Sequence, residues 1–178
     1  MEALNQSDLL NSLRAKTASH QLQVKNNFLN QNEEVLLRPS ASGGWSIAQC
    51  LEHLNSYGNY YLPEIKSALD RPRNKSLTPF KSGWLGGYFT RMMESPLKKY
   101  KAFKNHLPAP QPDPAAVINE FIRQQEILLE HLYKADQEDL NVRLPISISK
   151  FIKLQIGDVF QFLIAHNERH INQAVKNL

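Results

Sequence analysis

His166 and His170 stand four residues apart in a segment whose neighbours, Leu163, Ile164 and Ile171, are apolar. Four residues of an α-helix turn the chain through about 400°, so the two imidazoles project about 40° apart and one turn up. Both rings can then ligate one ion, a spacing used by metal-binding helices. The pair lies on or beside a core-facing stripe, where two histidines are unfavourable unless hydrogen-bonded or ligated. A third histidine, His53, falls beside Leu54 and one turn from Cys50 and Tyr57 on another helical stretch. It lies about 10 Å from the start of that helix, and the midpoint of His166 and His170 lies about 13 Å from the end of theirs. If the two helices are antiparallel neighbours, the three rings meet at similar height. Separate, hydrogen-bonded histidines are the equal alternative on spacing alone.

Around these residues the chain is patterned for helices, with almost no strand signal. Leu10, Leu13, Thr17, Val24 and Phe28 share a face of a first helix expected over Ser7–Asn30, with Ser7 or Asp8 as cap. Gln31 to Trp45 reads as a loop, with Pro39, Gly43 and Gly44. Ser46 and Gln49 form a capping box for a second helix, and Trp45 can staple onto Cys50 or Leu51. Pro63 is expected to kink or shorten that helix. Trp84–Phe103 reads as helical with an interruption at Pro96. Pro108, Pro110, Pro112 and Pro114 make a stiff connector leading to a helix capped by Asp113. Asp136–Gln155 reads as irregular, and a last helix is expected over Ile156–Val175. The expectation is an all-α domain over residues 1–178: four long helices in one bundle, with a small helical insertion between the second and third. That insertion is long enough to be a crossover connection.

Composition bounds the function. The 178 residues are 42% apolar and 21% charged, enough for one ordinary core. No apolar run approaches the roughly 20 residues that span a bilayer, and Met1–Leu13 does not read as a signal peptide. Cys50 is the only cysteine, so no internal disulfide forms. A cytoplasmic protein with no membrane partner is expected. The net charge is +4, with ten Lys/Arg and two acids between Lys66 and Lys104. Those cations are scattered among prolines with no recognisable module, so no nucleic-acid partner is expected.

Two segments resemble a known family. Trp45-Ser46-Ile47-Ala48-Gln49-Cys50-Leu51-Glu52-His53-Leu54 is similar to the start of the second helix in the DinB/YfiT-like superfamily, and His166-Asn167-Glu168-Arg169-His170-Ile171-Asn172-Gln173 to its last-helix motif. The resemblance implies a four-helix bundle of up-down-down-up order and a divalent ion held by His53, His166 and His170. It also implies diverse activities, among them transfer of low-molecular-weight thiols, so the fold does not settle the reaction.

Three imidazoles leave an open coordination position, the catalytic rather than the structural zinc arrangement. Zinc is the first expectation and nickel the second. A thiol at such a site loses its proton more readily. Asn167 stands where helical metalloproteases carry glutamate, which weakens a peptidase reading but leaves hydrolases open. Glu52 and Asn55 are candidate hydrogen-bonding partners of His53. Gln173 reads as packing or interhelical bonding, Glu168 as a surface residue, Arg169 as a surface or salt-bridge residue, Tyr57 as core with pocket lining the alternative, and Cys50 as a buried hydrophobe rather than a fourth ligand. His20, His106 and His131 receive no role. The leading expectation is a metal-dependent enzyme, such as an S-transferase acting on a small thiol and an electrophile. The alternative is a non-catalytic metal-binding interaction or structural protein, open to homodimer formation.

Overall fold

Six α-helices and one two-stranded hairpin account for most of the chain in a computed structural model that describes residues 5–41, 43–71, 79–95 and 100–178. Helix α1 spans Gln6–Phe28, α2 Glu33–Leu37, α3 Ile47–Leu69, α4 Trp84–Glu94, α5 Pro114–Lys134 and α6 Ile156–Val175. Strands β1 (Arg143–Ile146) and β2 (Ser149–Gln155) pair antiparallel between α5 and α6. No helix among the described residues is long and apolar enough to cross a membrane.

Local chemistry explains most boundaries. Asn5, earlier than either expected cap, starts α1 by accepting from the backbone N–H of Ser7 and Asp8. The α3 capping box forms as expected, with bonds of 3.2 and 3.1 Å between Ser46 and Gln49. Asp113 caps α5 with Pro114 in its first turn. Pro63 does not end α3, which runs on to Leu69. The lost backbone bond is offset by burial of Ile65, Ala68 and Leu69 beyond it. The interruption expected at Pro96 lies outside the described residues. Residues 100–103 are not helical, and a single 3-10 turn follows at Lys104–His106.

Two segments depart from the sequence reading. Helix α2 lies inside the expected loop; five residues are too few to show a period, but Asn32 caps it and Glu33 and Glu34 suit its N-terminus. The hairpin replaces an expected irregular stretch, so the chain is mostly helical rather than all-α. Pro145 sits within β1 opposite Lys153, which a two-stranded sheet tolerates because both strands are edges. Strand β1 alternates, with Leu144 and Ile146 buried, but over only four residues, and β2 buries Leu154 alone, so neither shows the longer alternation that marks a strand in a sequence.

Helix α3 packs against α5 and α6, and so does α1, while α4 lies along α6. Asn55 donates to the Val117 carbonyl (2.9 Å), and Gln124 donates to the Asn55 carbonyl (3.1 Å). Gly58 makes room for Gln124, whose amide oxygen would overlap any Cβ there. His131 donates to the Leu62 carbonyl at 3.1 Å, and Arg14 reaches the Leu132 carbonyl and Asp136.

Buried histidines make the fold sensitive to acid. Burial holds His20 at about 4, only partly opposed by Glu168, and lowers His131 as well. The unfolded chain, whose histidines titrate near 6.5, therefore binds more protons below that pH, and stability is lost as pH falls from about 6.5 toward 4. In chelator, the urea midpoint should be flat above pH 7 and drop clearly by pH 5; a flat profile to pH 5 would refute the assignment.

Candidate metal centre

Helix α3 contributes His53, and α6 contributes His166 and His170. His53 and His166 are buried, and His170 is mostly buried. The ring centroids stand 5.0 Å (His53–His166), 4.7 Å (His53–His170) and 4.8 Å (His166–His170) apart. One nitrogen from each ring lies within 4.8 Å of the others, the only such grouping of three or more His, Cys, Asp or Glu among the described residues. The Nε2 atoms of His53 and His166 are 3.1 Å apart. Ligands held at 2.0–2.1 Å in a tetrahedron would be separated by about 3.3 Å.

Hydrogen bonds on the far side of two rings set their tautomers. His53 donates Nδ1–H to the His106 carbonyl at 2.7 Å, which leaves the Nε2 lone pair facing inward. His170 donates Nδ1–H to Gln173 Oε1 at 3.0 Å, which leaves its Nε2 lone pair free to ligate. His166 Nδ1 is buried without a hydrogen-bond partner. Three neutral imidazoles with no carboxylate among them suit a borderline metal better than calcium or magnesium. The trio therefore could hold a metal ion.

Burial keeps the rings neutral. It lowers His53 to about 4, and it drives His166 well down, with His170, His53 and Arg169 adding to the shift. His170 is lowered to about 3, by burial first and by His53 and Arg169 next. A neutral imidazole needs no proton removed before it ligates. The surroundings are aromatic. Trp45 lies 4.7 Å from His53 and 5.7 Å from His170, Tyr57 lies edge-on to His53 and His166, and Phe162 stacks on His166 at 5.5 Å. Trp45 also packs on the cluster containing Cys50 and Leu51, as the staple reading expects.

Some neighbours take roles other than those expected, while Glu168 at the surface and Cys50 in the core keep theirs. Glu52 accepts from the Ala109 N–H at 2.6 Å, and Asn55 bonds α5, so neither carboxylate nor amide supports His53. Gln173 orients His170 within its own helix rather than bonding across helices; its three-residue spacing was the available signal. Asn167 bonds Gln125, Glu168 pairs with Lys16 at 3.2 Å, and Arg169 donates to the Met93 and Ser95 carbonyls. Cys50 lies outside the histidine group, fully buried, its thiol pushed up to about 12 by burial. Sequence reasoning missed His106. Its contribution to His53 comes from a main-chain carbonyl, which no side-chain pattern reveals.

Residues 23–174 match the model of one family, described as the DinB superfamily. No curated protein and no solved structure matches the chain.

Proposed function

The chain belongs to the DinB superfamily, and from that premise we propose that His53, His166 and His170 hold one divalent ion, zinc first and nickel second, that activates a low-molecular-weight thiol for transfer to an electrophile. The observation that carries this reading is the pair of outer hydrogen bonds that turn the His53 Nε2 lone pair toward His166 and leave the His170 Nε2 lone pair free to ligate. A bound ion would supply Lewis acidity that draws off a thiol proton near neutral pH. The chain's own residues supply neutral ligands, an aromatic wall of Trp45, Tyr57 and Phe162 that limits water, and an orientation fixed by His106 and Gln173. Three protein ligands leave room for a further one.

A four-helix bundle of up-down-down-up order over a single domain, residues 1–178, is part of the same reading. Residue numbers rise together between α3 and α5, where Asn55 meets Val117 and Leu62 meets His131. They run oppositely between α3 and α6, where Trp45 meets Asn177 and His53 meets His166, and between α1 and α5, where Arg14 meets Leu132 and Gln21 meets Ile122. These directions support that order.

The test is metal analysis of the purified protein, followed by a screen of small thiols against a generic electrophile with and without chelator. Thiol transfer that chelation abolishes and zinc or nickel restores is the expected result. Transfer indifferent to chelation would refute the mechanism. A second reading, an ion that only secures the helices or an interface, is favoured by the closeness of the same aromatic rings. It predicts a metal-dependent melting temperature with no thiol transfer.

A further inference from the structure

One face of α3 grips the proline-rich connector that precedes α5. Gln49, Glu52, His53 and Ser56 recur at three- and four-residue steps and so share a face. Gln49 donates to the carbonyls of Ala109 (3.1 Å) and Pro110 (3.2 Å), and Glu52 accepts from Ala109 N–H. His53 and Ser56 both engage His106. Ser56 gives its hydroxyl proton to the His53 carbonyl at 2.7 Å, so its oxygen accepts from His106 Nδ1–H at 2.9 Å. The His106 carbonyl in turn accepts from His53 Nδ1–H. The three bonds close a ring from the His53 main chain, through Ser56 and His106, back to the His53 imidazole. His106 is 5% exposed and stacks on Tyr57 at 3.9 Å, so its position is packed as well as bonded.

The geometry points to Ser56 and His106 as positioning residues that fix the tautomer of His53 and tie metal loading to the connector at residues 104–110. This rests on the metal reading above. Without the Ser56 hydroxyl, His106 Nδ1–H loses its acceptor in a buried place where its Nε2 already has no partner. The 3-10 turn would shift to satisfy it, and the carbonyl that holds His53 would move too. His53 could then carry its proton on either nitrogen, and the Nε2–H form cannot ligate through that atom. Partners of this outer kind are typically worth about 10–100-fold in metal affinity.

The test uses the whole chain. Zinc affinity is measured by competition with a chromophoric chelator, and the His53 tautomer by nitrogen-15 NMR of the zinc-free protein. Ser56→Ala and His106→Leu should each weaken zinc binding by about 10–100-fold and turn the single Nδ1–H form of His53 into a mixture. Ser56→Thr, which keeps the hydroxyl, and His106→Asn, whose side-chain N–H can stand in for Nδ1–H, should recover most of both. Zinc should also slow amide exchange at Ala109 in the wild type and do so less in Ser56→Ala. A role in packing alone would move neither the tautomer nor its rescue by the conservative variants. If Ser56→Ala does not fold, the His106→Leu and His106→Asn pair decides by the same readouts. Wild-type zinc affinity and a wild-type His53 spectrum in the alanine and leucine variants would overturn the inference. If the wild type takes up neither zinc nor nickel, the metal reading falls, and the tautomer measurement alone decides for or against the positioning role.

Discussion

His170→Ala should lose tight zinc binding and any thiol transfer while keeping most of its helical circular dichroism. The variant removes one of three candidate ligands, so its effect on affinity should exceed the roughly 10–100-fold of a lost outer partner. It should spare the fold because His170 is the most exposed of the three and bonds only Gln173 in its own helix. The apolar positions of α6, Val159, Phe160, Leu163, Ile164 and Ile171, are untouched and buried. His166→Ala is the less clean variant, since it empties a buried space against Tyr57 and Phe162. Zinc titration, thiol-transfer assay and circular dichroism on the same preparation check the expectation. Unchanged zinc affinity would remove His170 from the site. Unfolding of the variant would favour an ion that holds the helices together over one that activates a thiol.

Gly86→Ala should be among the most destabilising small substitutions in the chain. A Cβ at Gly86 would overlap Asp158, meeting its Cβ and Cγ as well as a carboxylate oxygen, so no flexible tip can swing aside. Asp158 is 1% exposed in the first turn of α6 and accepts from Ser82 Oγ (2.5 Å) and Gly83 N–H (3.0 Å). Burial pushes its carboxyl up, and those two bonds oppose the shift. Displacing it combines overpacking, about 1–3 kcal/mol, with loss of hydrogen bonds to a buried carboxylate, another 1–3 kcal/mol or so. A loss of about 3 kcal/mol corresponds to roughly 6–12 °C in melting temperature for a chain of this size. Gly44→Ala is the control, because its Cβ would meet nothing closer than 3.6 Å. Equal melting temperatures for the two variants would show that α4 docks on α6 without the close approach argued for it.

How much of this could be read before the fold was known depends on whether a feature is local. The capping box at Ser46 and Gln49, the Asp113–Pro114 start of α5 and the span of α6 are written in residues a few positions apart, and all three stand in the structure. The i, i+4 geometry of His166 and His170 is likewise a property of one helix. The short helix α2 and the β1–β2 hairpin were not legible. The helix is too brief to show a period, β1 alternates over only four residues, and β2 buries a single hydrophobic residue, Leu154.

The sequence by itself determined a helical chain, its main caps and apolar stripes, and three histidines able to ligate, because backbone geometry converts spacing directly into direction. Only the tertiary structure decided that His53 lies 3.1 Å from His166, that Glu52 serves the connector rather than His53, and that a carbonyl of His106 orients the ring. Those outcomes depend on segments more than fifty positions apart meeting at one height, and on a main-chain atom whose chemistry is the same at every residue. Spacing along one helix carries no information about either.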